Sequence, residues 1–452
     1  MHIPPDVIRA VGKLEERGHQ AYLVGGSLRD LIVGVPANDW DIACSALPEM
    51  VREVFGGHRV IDTGIRHGTL QVKLEENLVE ITSFRSDGEY LDHRHPVKVT
   101  YVTTIEEDLA RRDFTMNAIA FNPKTGFIDP YGGESDIKAR TIRSVGSPGV
   151  RLGEDALRIM RALRLSSSLG FKIETSLSDS LHASRYLLKS IAVERVSEEL
   201  LKMLVGDNIL PVLLAYPDVL SVVIPEIEPT IGFDQKSRFH QYDVWEHTAR
   251  AVEAAIQKPV VRLTLLMHDL GKPACFLVDG EGEGHFYGHD KRGEELAQYR
   301  LRELRFDNVT IYTVSQLIRY HQLRLKPENV KKWLARLGEE FLRLLIEVRR
   351  GDILAHCDSI KEEALSDLFA SEARLDEIIE KGDCVRLSDL AVSGDDLLEI
   401  GFEEGKLIGE TLLYLLGAVI KEELENNKEV LLAAARTYFQ QARHTSNIGN
   451  AI

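Results

Sequence analysis

The sequence predicts an α+β protein: a mixed sheet with helices in the N-terminal third, followed by a region that is helical throughout. Three observations carry this prediction. Between residues 20 and 145, AYLV, DWDIAC, TLQVKL and LVEITSF are short apolar or alternating runs of strand length, separated by glycine-containing turns and helical stretches. From EDALRIMRALRLSS onward, segments such as VSEELLKMLV, DVWEHTARAVEAAI and EEFLRLLIEVRRGDILAHC repeat their apolar residues at helical spacing. The length, 452 residues, exceeds one compact core and divides into three or four modules of roughly 100–200 residues. Breaks are expected at the turn-rich SVGSPGV, around VVIPEIEPTIGFDQKS, and before the acidic helices that follow Asp358. The modules so defined are 1–145, 146–230, 231–360 and 361–452.

The composition excludes several classes. Hydrophobic residues make up 44% and charged residues 28%, and no apolar run approaches the roughly 18–20 residues that cross a bilayer. The start of the chain, MHIPPDVIRAVGKLEERG, carries acids and lacks an apolar core, so it does not read as a signal peptide; no membrane partner and a cytoplasmic location are expected. Cys44, Cys275, Cys357 and Cys384 are far apart and form no C-x-x-C pair, which indicates neither a zinc knuckle nor a disulfide framework. A net charge of −16 opposes a nucleic-acid partner in bulk. The objection is met locally by the arginines at 111, 112, 158, 161 and 164, which provide the makings of a basic cleft.

The first constellation is a strand (AYLV), the pair Gly25-Gly26, a helix (LRDLIV), and then Asp39-Trp40-Asp41. Two glycines let backbone N–H groups approach a triphosphate, the helix start favours negative charge, and Arg29 adds a cation one turn in. Asp39 and Asp41, two apart on a strand, project to one face and can bridge two hard cations such as Mg²⁺. Such a pair activates an attacking hydroxyl and stabilises a leaving pyrophosphate. Glu80, between Val79 and Ile81 on a later strand, is the candidate third carboxylate. Either motif alone reads more simply as a tight turn or a solvated strand end; their order together points to nucleotidyl transfer.

These residues resemble the tRNA nucleotidyltransferases (CCA-adding enzymes) and bacterial poly(A) polymerases, class II members of the polymerase-beta nucleotidyltransferase superfamily. The resemblance is close over residues 20–205 and looser beyond. Its landmarks occur in order: LVGGSLRD with DWD, EITSFRSDGEYLDHRHP, EEDLARRDFTMNAIA, DPYGGESDIKARTIR and EDALRIMRALR. It implies a polymerase-beta-like head in which Gly26, Arg29 and Arg112 bind nucleotide phosphates and Asp113 and Asn117 face the ribose 2′-OH. The polar segment GEYLDHRHPVKV looks like the loop that permits the last A addition in this family. In EDALRIMRALR, Asp155 and Arg158 at i, i+3 share a helical face. There a carboxylate accepts from the amino groups of cytosine and adenine and a guanidinium donates to their ring acceptors. Uracil and guanine present keto oxygens instead, and unmatched buried polar groups cost about 1–3 kcal/mol. Read on spacing alone, the same two residues form an ordinary salt bridge. Arg161 and Arg164 continue the row toward the triphosphate or the primer backbone.

A second constellation is a helical series with His247 in DVWEHTARAVEA, His268-Asp269 in LTLLMHDLGKP, His289 in FYGHDKRG, His321 in LIRYHQ and Asp358 in GDILAHCDS. Imidazoles suit transition metals and carboxylates bridge them. Residues 235–360 are similar to the HD phosphohydrolase superfamily. That similarity implies a divalent transition metal held by His247, His268, Asp269 and Asp358, with His289 and His321 as further ligands.

The combined expectation is an enzyme adding C, C and A to the 3′ end of tRNA from CTP and ATP with Mg²⁺. Residues 1–145 form the catalytic head, 146–230 a nucleotide-selecting neck and RNA-binding region, 231–360 an HD-type domain and 361–452 a helical, tRNA-binding tail. Poly(A) polymerase, a CC-only or A-only enzyme, and an HD phosphohydrolase with a nucleotide-sensing head remain alternatives.

Overall fold

A computed structural model of the chain describes residues 2–37, 39–64, 68–88, 99–237 and 241–449. It divides into two compact units, Met1–Phe233 with Gln257–Leu263 and Gln298–Ile311, and Asp234–Ile256 with Thr264–Ala297 and Tyr312–Ile452.

The first unit opens with α1 (Pro5–Glu16), β1 (Ala21–Val24), α2 (Gly25–Val33), β2 (Trp40–Cys44) and α3 (Pro48–Val54). Then follow β3 (Arg59–Gly64), β4 (Thr69–Lys73), β5 (Leu78–Ser83), β6 (Arg85–Asp87), β7 (Val99–Tyr101), α4 (Ile105–Ala110), β8 (Ala120–Asn122), β9 (Gly126–Ile128) and α5 (Gly133–Lys138). Seven strands join in the order β3-β4-β5-β2-β1-β8-β9. β2 and β5 run parallel, and the other neighbours antiparallel.

Side-chain alternation then sorts the sheet into two faces. On one, Leu23, Ile42, Leu70, Val72, Val79 and Ile81 pack against Val7, Val11 and Leu14 of α1 and against Val51 and Phe55. Burying each such side chain contributes ~1.5–3 kcal/mol. The opposite face carries Val24 and Ala43 against Phe84, Ile105 and Leu109. Residues 41 and 80 alternate with that first set, so both project to the second face.

Three local expectations are corrected. Gly25 and Gly26 do not form a separate turn before the helix but begin α2 itself. Asp39 lies in a bend just before β2 rather than within it. The helix expected to carry both Asp155 and Arg158 is two helices, α6 (Pro148–Glu154) and α7 (Leu157–Leu169). Asp155 sits in extended conformation between them, and its Oδ1 accepts from the Leu157 N–H at 3.0 Å, which competes with continuation of the helix.

The unit continues with α8 (Thr175–Ser184), α9 (Val193–Leu204), α10 (Ile209–Ala215) and α11 (Pro217–Val223). The helical region is interrupted by β10 (Thr141–Ile142) pairing parallel with β11 (Lys172–Ile173), and later by β12 (Leu277–Val278) pairing with β13 (Gly284–His285). The remaining helices, in chain order, are α12 (Val244–Ala254), α13 (Pro259–Met267), α14 (His289–Glu303), α15 (Asn308–Tyr320), α16 (Pro327–Leu337) and α17 (Glu339–Leu354). They are followed by α18 (Asp358–Lys381), α19 (Gly394–Glu399), α20 (Lys406–Ile420) and α21 (Lys428–Gly449). Among the described residues no helix is long and apolar enough to cross a membrane. Cys44 and Cys384 are buried and Cys275 and Cys357 half-buried, and none of the four forms a disulfide.

One close approach sets the spacing of α7 and α9. A Cβ on Gly206 would meet Ser167 Oγ at 2.1 Å and the Ser167 carbonyl carbon at 2.6 Å, while Ser167 Oγ donates to the Met203 carbonyl at 2.7 Å. The variant Gly206→Ala is expected to lower stability by about 1–3 kcal/mol through overpacking, read as a fall of several degrees in the thermal midpoint. An unchanged midpoint would show that the two helices separate without cost.

Candidate functional site

The parallel register of β2 and β5 sets Asp41 opposite Glu80, and the antiparallel register of β1 and β2 sets it opposite Val24, the residue before Gly25. A Cβ on Gly25 would lie 2.6 Å from Asp41 Oδ2, and its φ of +80° is one that side chains disfavour. Glycine is thus required for the carboxylate to reach the first turn of α2. Burial, the neighbouring Glu80 charge and Asp39 together push the Asp41 pKa up to about 6, against the opposing pull of Arg112. Asp39, Asp41 and Glu80 all line one cavity of about 880 Å³. Hard oxygen donors whose charges oppose one another along one cavity fit a divalent cation, which would relieve that repulsion.

Arginines make up much of the rest of that cavity. Arg29, Arg85, Arg111, Arg112, Arg158, Arg161, Arg164 and Arg195 line it, with Gly26, Asp113, Asn117 and Asp155. These eight cations answer the net charge of −16 locally. Most are steered by an acid or a carbonyl. Arg29 is held by Asp30 Oδ1 at 2.7 Å and donates to Asn117 Oδ1 at 2.9 Å. Arg111 and Arg112 share the fully buried Asp108, at 2.8 and 3.2 Å. Burial opposes ionisation of that carboxyl, but Arg112 and Arg111 outweigh it and lower its pKa.

Arg158 donates through Nη1 to the Arg151 carbonyl and to Glu154 Oε2, at 2.8 and 2.7 Å, and through Nη2 to the Arg111 carbonyl at 2.8 Å. The simple Asp155–Arg158 salt bridge is therefore not what forms: Glu154 takes the arginine, and Asp155 lies 3.8 Å from Arg195. Arg161 pairs with Asp113 at 2.6 Å and Arg164 with Glu199 at 2.7 Å. Asp113 also accepts from Asn117 Nδ2 and from the Phe114 N–H. Burial would raise its pKa, yet Arg161 and these hydrogen bonds hold it far below the usual carboxylate range. The two groups expected to face a ribose thus bind each other and two arginines. The loop expected at GEYLDHRHPVKV lies almost wholly in residues 89–98, outside the described residues.

Sequence reading missed Asp30, Asp108, Glu154 and Glu199, the acids that hold the arginines. For Asp108 and Glu154 a signal existed, an acid three or four residues before an arginine. Glu199 is 35 residues from its partner and gave none.

In the second unit, the end of α13 delivers His268 and Asp269, α12 His247, the start of α14 His289, the residue after α15 His321, and α17 Asp352. All six are buried. His247 Nε2 lies 3.0 Å from Asp352 and 3.6 Å from Asp269; His268 Nε2 lies 3.1 Å from Asp269; His289 Nε2 lies 3.6 Å from Asp269 and 3.3 Å from His321 Nε2. Among the described residues three overlapping groups have metal-ligand spacing: His247-Asp352-His356, His247-His268-Asp269 and Asp269-His289-His321. Burial depresses the pKa of His247, of His289 and, to about 3, of His321, keeping them neutral as metal ligation requires. Burial also opposes the charging of His268, but Asp269 and Asp352 outweigh it and raise its pKa. His268 Nε2 and Asp269 Oδ2 are buried in ion-pair contact yet make no aligned hydrogen bond.

The carboxylate that α17 contributes is Asp352, which the sequence reading did not single out. The expected Asp358 begins α18, and its side chain lies outside the described residues. The position of Asp352 follows from Gly351, where a Cβ would meet Leu265 Cδ1 at 2.7 Å and the Ala251 carbonyl at 2.9 Å, so α17 closes on α12 beside His247. Lys272, also missed, reaches Asp269 at 2.7 Å.

Residues 21–143 match the poly A polymerase head domain, 170–230 the probable RNA- and SrmB-binding site of polymerase A, and 291–435 a putative tRNA nucleotidyltransferase domain 2. The CCA-adding enzyme of Enterococcus faecalis is 33% identical over 430 residues, 94% of each chain, and that of Geobacillus stearothermophilus 34% over 437 residues, 95% of this chain and 96% of the relative. Among solved structures, a Bacillus stearothermophilus CCA-adding enzyme in complex with CTP superposes with a TM-score of 0.73 at 28% identity, covering 98% of this chain and 100% of that one. The Thermotoga maritima CCA-adding enzyme complexed with tRNA shares the fold, with a TM-score of 0.62 at 19% identity over 97% and 96% of the two chains. Relatives of that identity and near-complete coverage leave one assignment: the chain belongs to the CCA-adding enzymes.

Proposed function

We propose that the chain adds C, C and A to the 3′ end of tRNA from CTP and ATP, without a nucleic-acid template, in the cytoplasm. The observation that carries this reading is the trio Asp39, Asp41 and Glu80 at one wall of an arginine-lined cavity. The three carboxylates would hold Mg²⁺, which supplies activation of the tRNA hydroxyl and charge neutralisation at the leaving pyrophosphate. The protein's own part is positioning and electrostatics. Gly25 and Gly26 let the start of α2 approach the triphosphate. Arg29, Arg112, Arg161 and Arg164 bind its oxygens, and Asp30, Asp108, Asp113 and Glu199 keep those guanidinium groups aimed. Asp155 and Arg158 read the base edge. The Arg158 fork is fixed by Glu154 and two carbonyls, so it presents a set pattern of donors that cytosine and adenine match and uracil and guanine do not. Residues 1–145 act as the catalytic head, 146–230 as the selecting neck and RNA-binding region, and 361–452 as a tRNA-binding tail. The RNA is held by shape, because one site serves every tRNA.

A second reading rests on the buried histidine-aspartate cluster. His247, His268, Asp269 and Asp352, with His289 and His321, would hold a divalent transition metal, which supplies an activated water for hydrolysis of a phosphate ester. This makes residues 231–360 an HD-type hydrolytic domain.

Replacing Asp41 with Ala should reduce nucleotide addition by at least ~10²–10³-fold while leaving the thermal midpoint within a few degrees; retention of activity would remove the carboxylate trio from the chemistry. With a tRNA lacking its terminal CCA, labelled CTP alone should give two additions and stop, and CTP with ATP should complete three. A long A tract, or failure to use CTP, would assign poly(A) or A-only synthesis instead. For the second cluster, metal analysis of the protein loaded with Mn²⁺, Ni²⁺ or Co²⁺ should show bound ion that the double variant His268→Ala, Asp269→Asn loses, with CCA addition unchanged. Equal metal content in the two proteins would count against ligation there.

A further inference from the structure

We infer that α9 is the positioning helix of the nucleotide cavity, with Glu199 orienting Arg164 for the phosphates and Arg195 orienting Asp155 for the base. The inference deepens the nucleotidyl-transfer reading above and rests on it.

Arg195 and Glu199 are four apart on α9 and so share a face one turn apart. Their partners sit at different places on the opposing wall: Asp155 at the junction before α7, and Arg164 two turns along it. Arg195 Nη2 lies 3.8 Å from Asp155 Oδ2, and Glu199 Oε2 lies 2.7 Å from Arg164 Nε. Both partners and Arg195 line the cavity, whereas Glu199 stands behind it, buried to 7% exposure. A carboxylate so deeply buried is unfavourable unless its charge is used. The contact it makes is close but not aligned as a hydrogen bond on either side. It therefore holds Arg164 by charge and leaves Nη1 and Nη2 on the far end of the guanidinium, pointing the arginine's cavity end without consuming it.

The helix that carries the pair is fixed in place. Ser167 of α7 donates to the Met203 carbonyl of α9 at 2.7 Å, and Ser197 Oγ donates to the Leu304 carbonyl at 2.8 Å. Val196, Leu200, Met203 and Leu204 bury the rest of its inner surface. Positions 195 and 199 thus act from a rigid element, and each adjusts a different property: Glu199 the affinity for any triphosphate, Arg195 the choice among bases.

The test uses the full-length protein and a tRNA lacking its CCA end, with steady-state kinetics for each of the four nucleotides. The expected result for Glu199→Gln is a KM for CTP and for ATP raised together by ~10-fold, the effect of one lost charged contact, with kcat and the preference for C over U unchanged. Glu199→Asp should recover part of the loss. Combined with Arg164→Ala, Glu199→Gln should add nothing, because the acid acts through that arginine. Arg195→Ala should relax the C-over-U and A-over-G preferences by ~10-fold with the KM for CTP near its original value. The neighbour Glu198→Gln, an exposed acid paired with Lys202 at 2.6 Å, should match the parent. An active parent whose Glu199→Gln variant keeps its KM, or loses kcat and thermal midpoint together, overturns the inference alone. A parent that adds no nucleotide overturns the underlying reading, and the inference with it.

Discussion

The parallel pairing of β2 with β5 is the constraint on which the rest of the head depends. It sets Asp41 beside Glu80 in register, on the face of the sheet that the apolar side chains of α1 and α3 do not cover. The charge of the exposed Glu80 opposes that of the half-buried Asp41 at that spacing, and with burial it lifts the Asp41 pKa to about 6. The stability supplied by the opposite face, where Leu23, Ile42 and Ile81 are buried against α1, holds the acids there all the same. An arrangement that is unfavourable alone and favourable with a dication stores binding affinity in the fold.

The second level of construction is the pairing of arginines with acids of different origin. Eight guanidinium groups in one cavity would repel one another and turn toward solvent if unpaired. Asp30, Asp108, Asp113, Glu154 and Glu199 each offset that repulsion and also fix an orientation, since a planar fork has few ways to meet a carboxylate. The acids are drawn from α2, α4, α6, α9 and the segment after α4. The cavity's geometry is therefore a property of the assembled unit. It also explains how a chain of net charge −16 can serve a polyanion: its excess of acid lies elsewhere, and in the cavity eight arginines outnumber the six lining acids.

This division also shows what sequence could and could not reveal. Strand alternation made the outward face of Asp41 readable, because a period of two needs only neighbours, but it did not show that Asp39 lies in the bend before the strand. Glycine at 25 was readable as a close approach, though not that the group approached is Asp41 itself. The continuous helix through EDALRIMRALR was misread because apolar spacing does not register a break: the Asp155 carboxylate caps the Leu157 N–H and restarts the helix, and an acid at that position is equally consistent with an uninterrupted turn. In GDILAHCDS the residue expected at the histidine cluster was Asp358, and Asp352 was passed over. What places Asp352 there is the absence of a Cβ on Gly351, which lets α17 approach Ala251 and Leu265. Contacts of this kind join residues about a hundred apart, and one sequence read alone contains no trace of them.

The two clusters differ in a way that bears on how one chain can hold both. In the head, the candidate ligands Asp39, Asp41 and Glu80 offer oxygen alone, and hard donors with repelling charges suit a hard, hydrated ion such as Mg²⁺. In the second unit, four imidazoles and two carboxylates converge, three of the imidazoles held neutral by burial, and nitrogen donors of that kind select a softer, transition-series ion. The ligand types are thus nearly disjoint, and ions present together would partition between the sites by chemistry rather than by competition. Lys272 sharpens the difference. Its ammonium sits 2.7 Å from Asp269, so a fixed positive charge already occupies part of the carboxylate's coordination capacity. An ion bound there must draw its affinity mainly from the imidazoles, which a metal of the Mg²⁺ type cannot exploit.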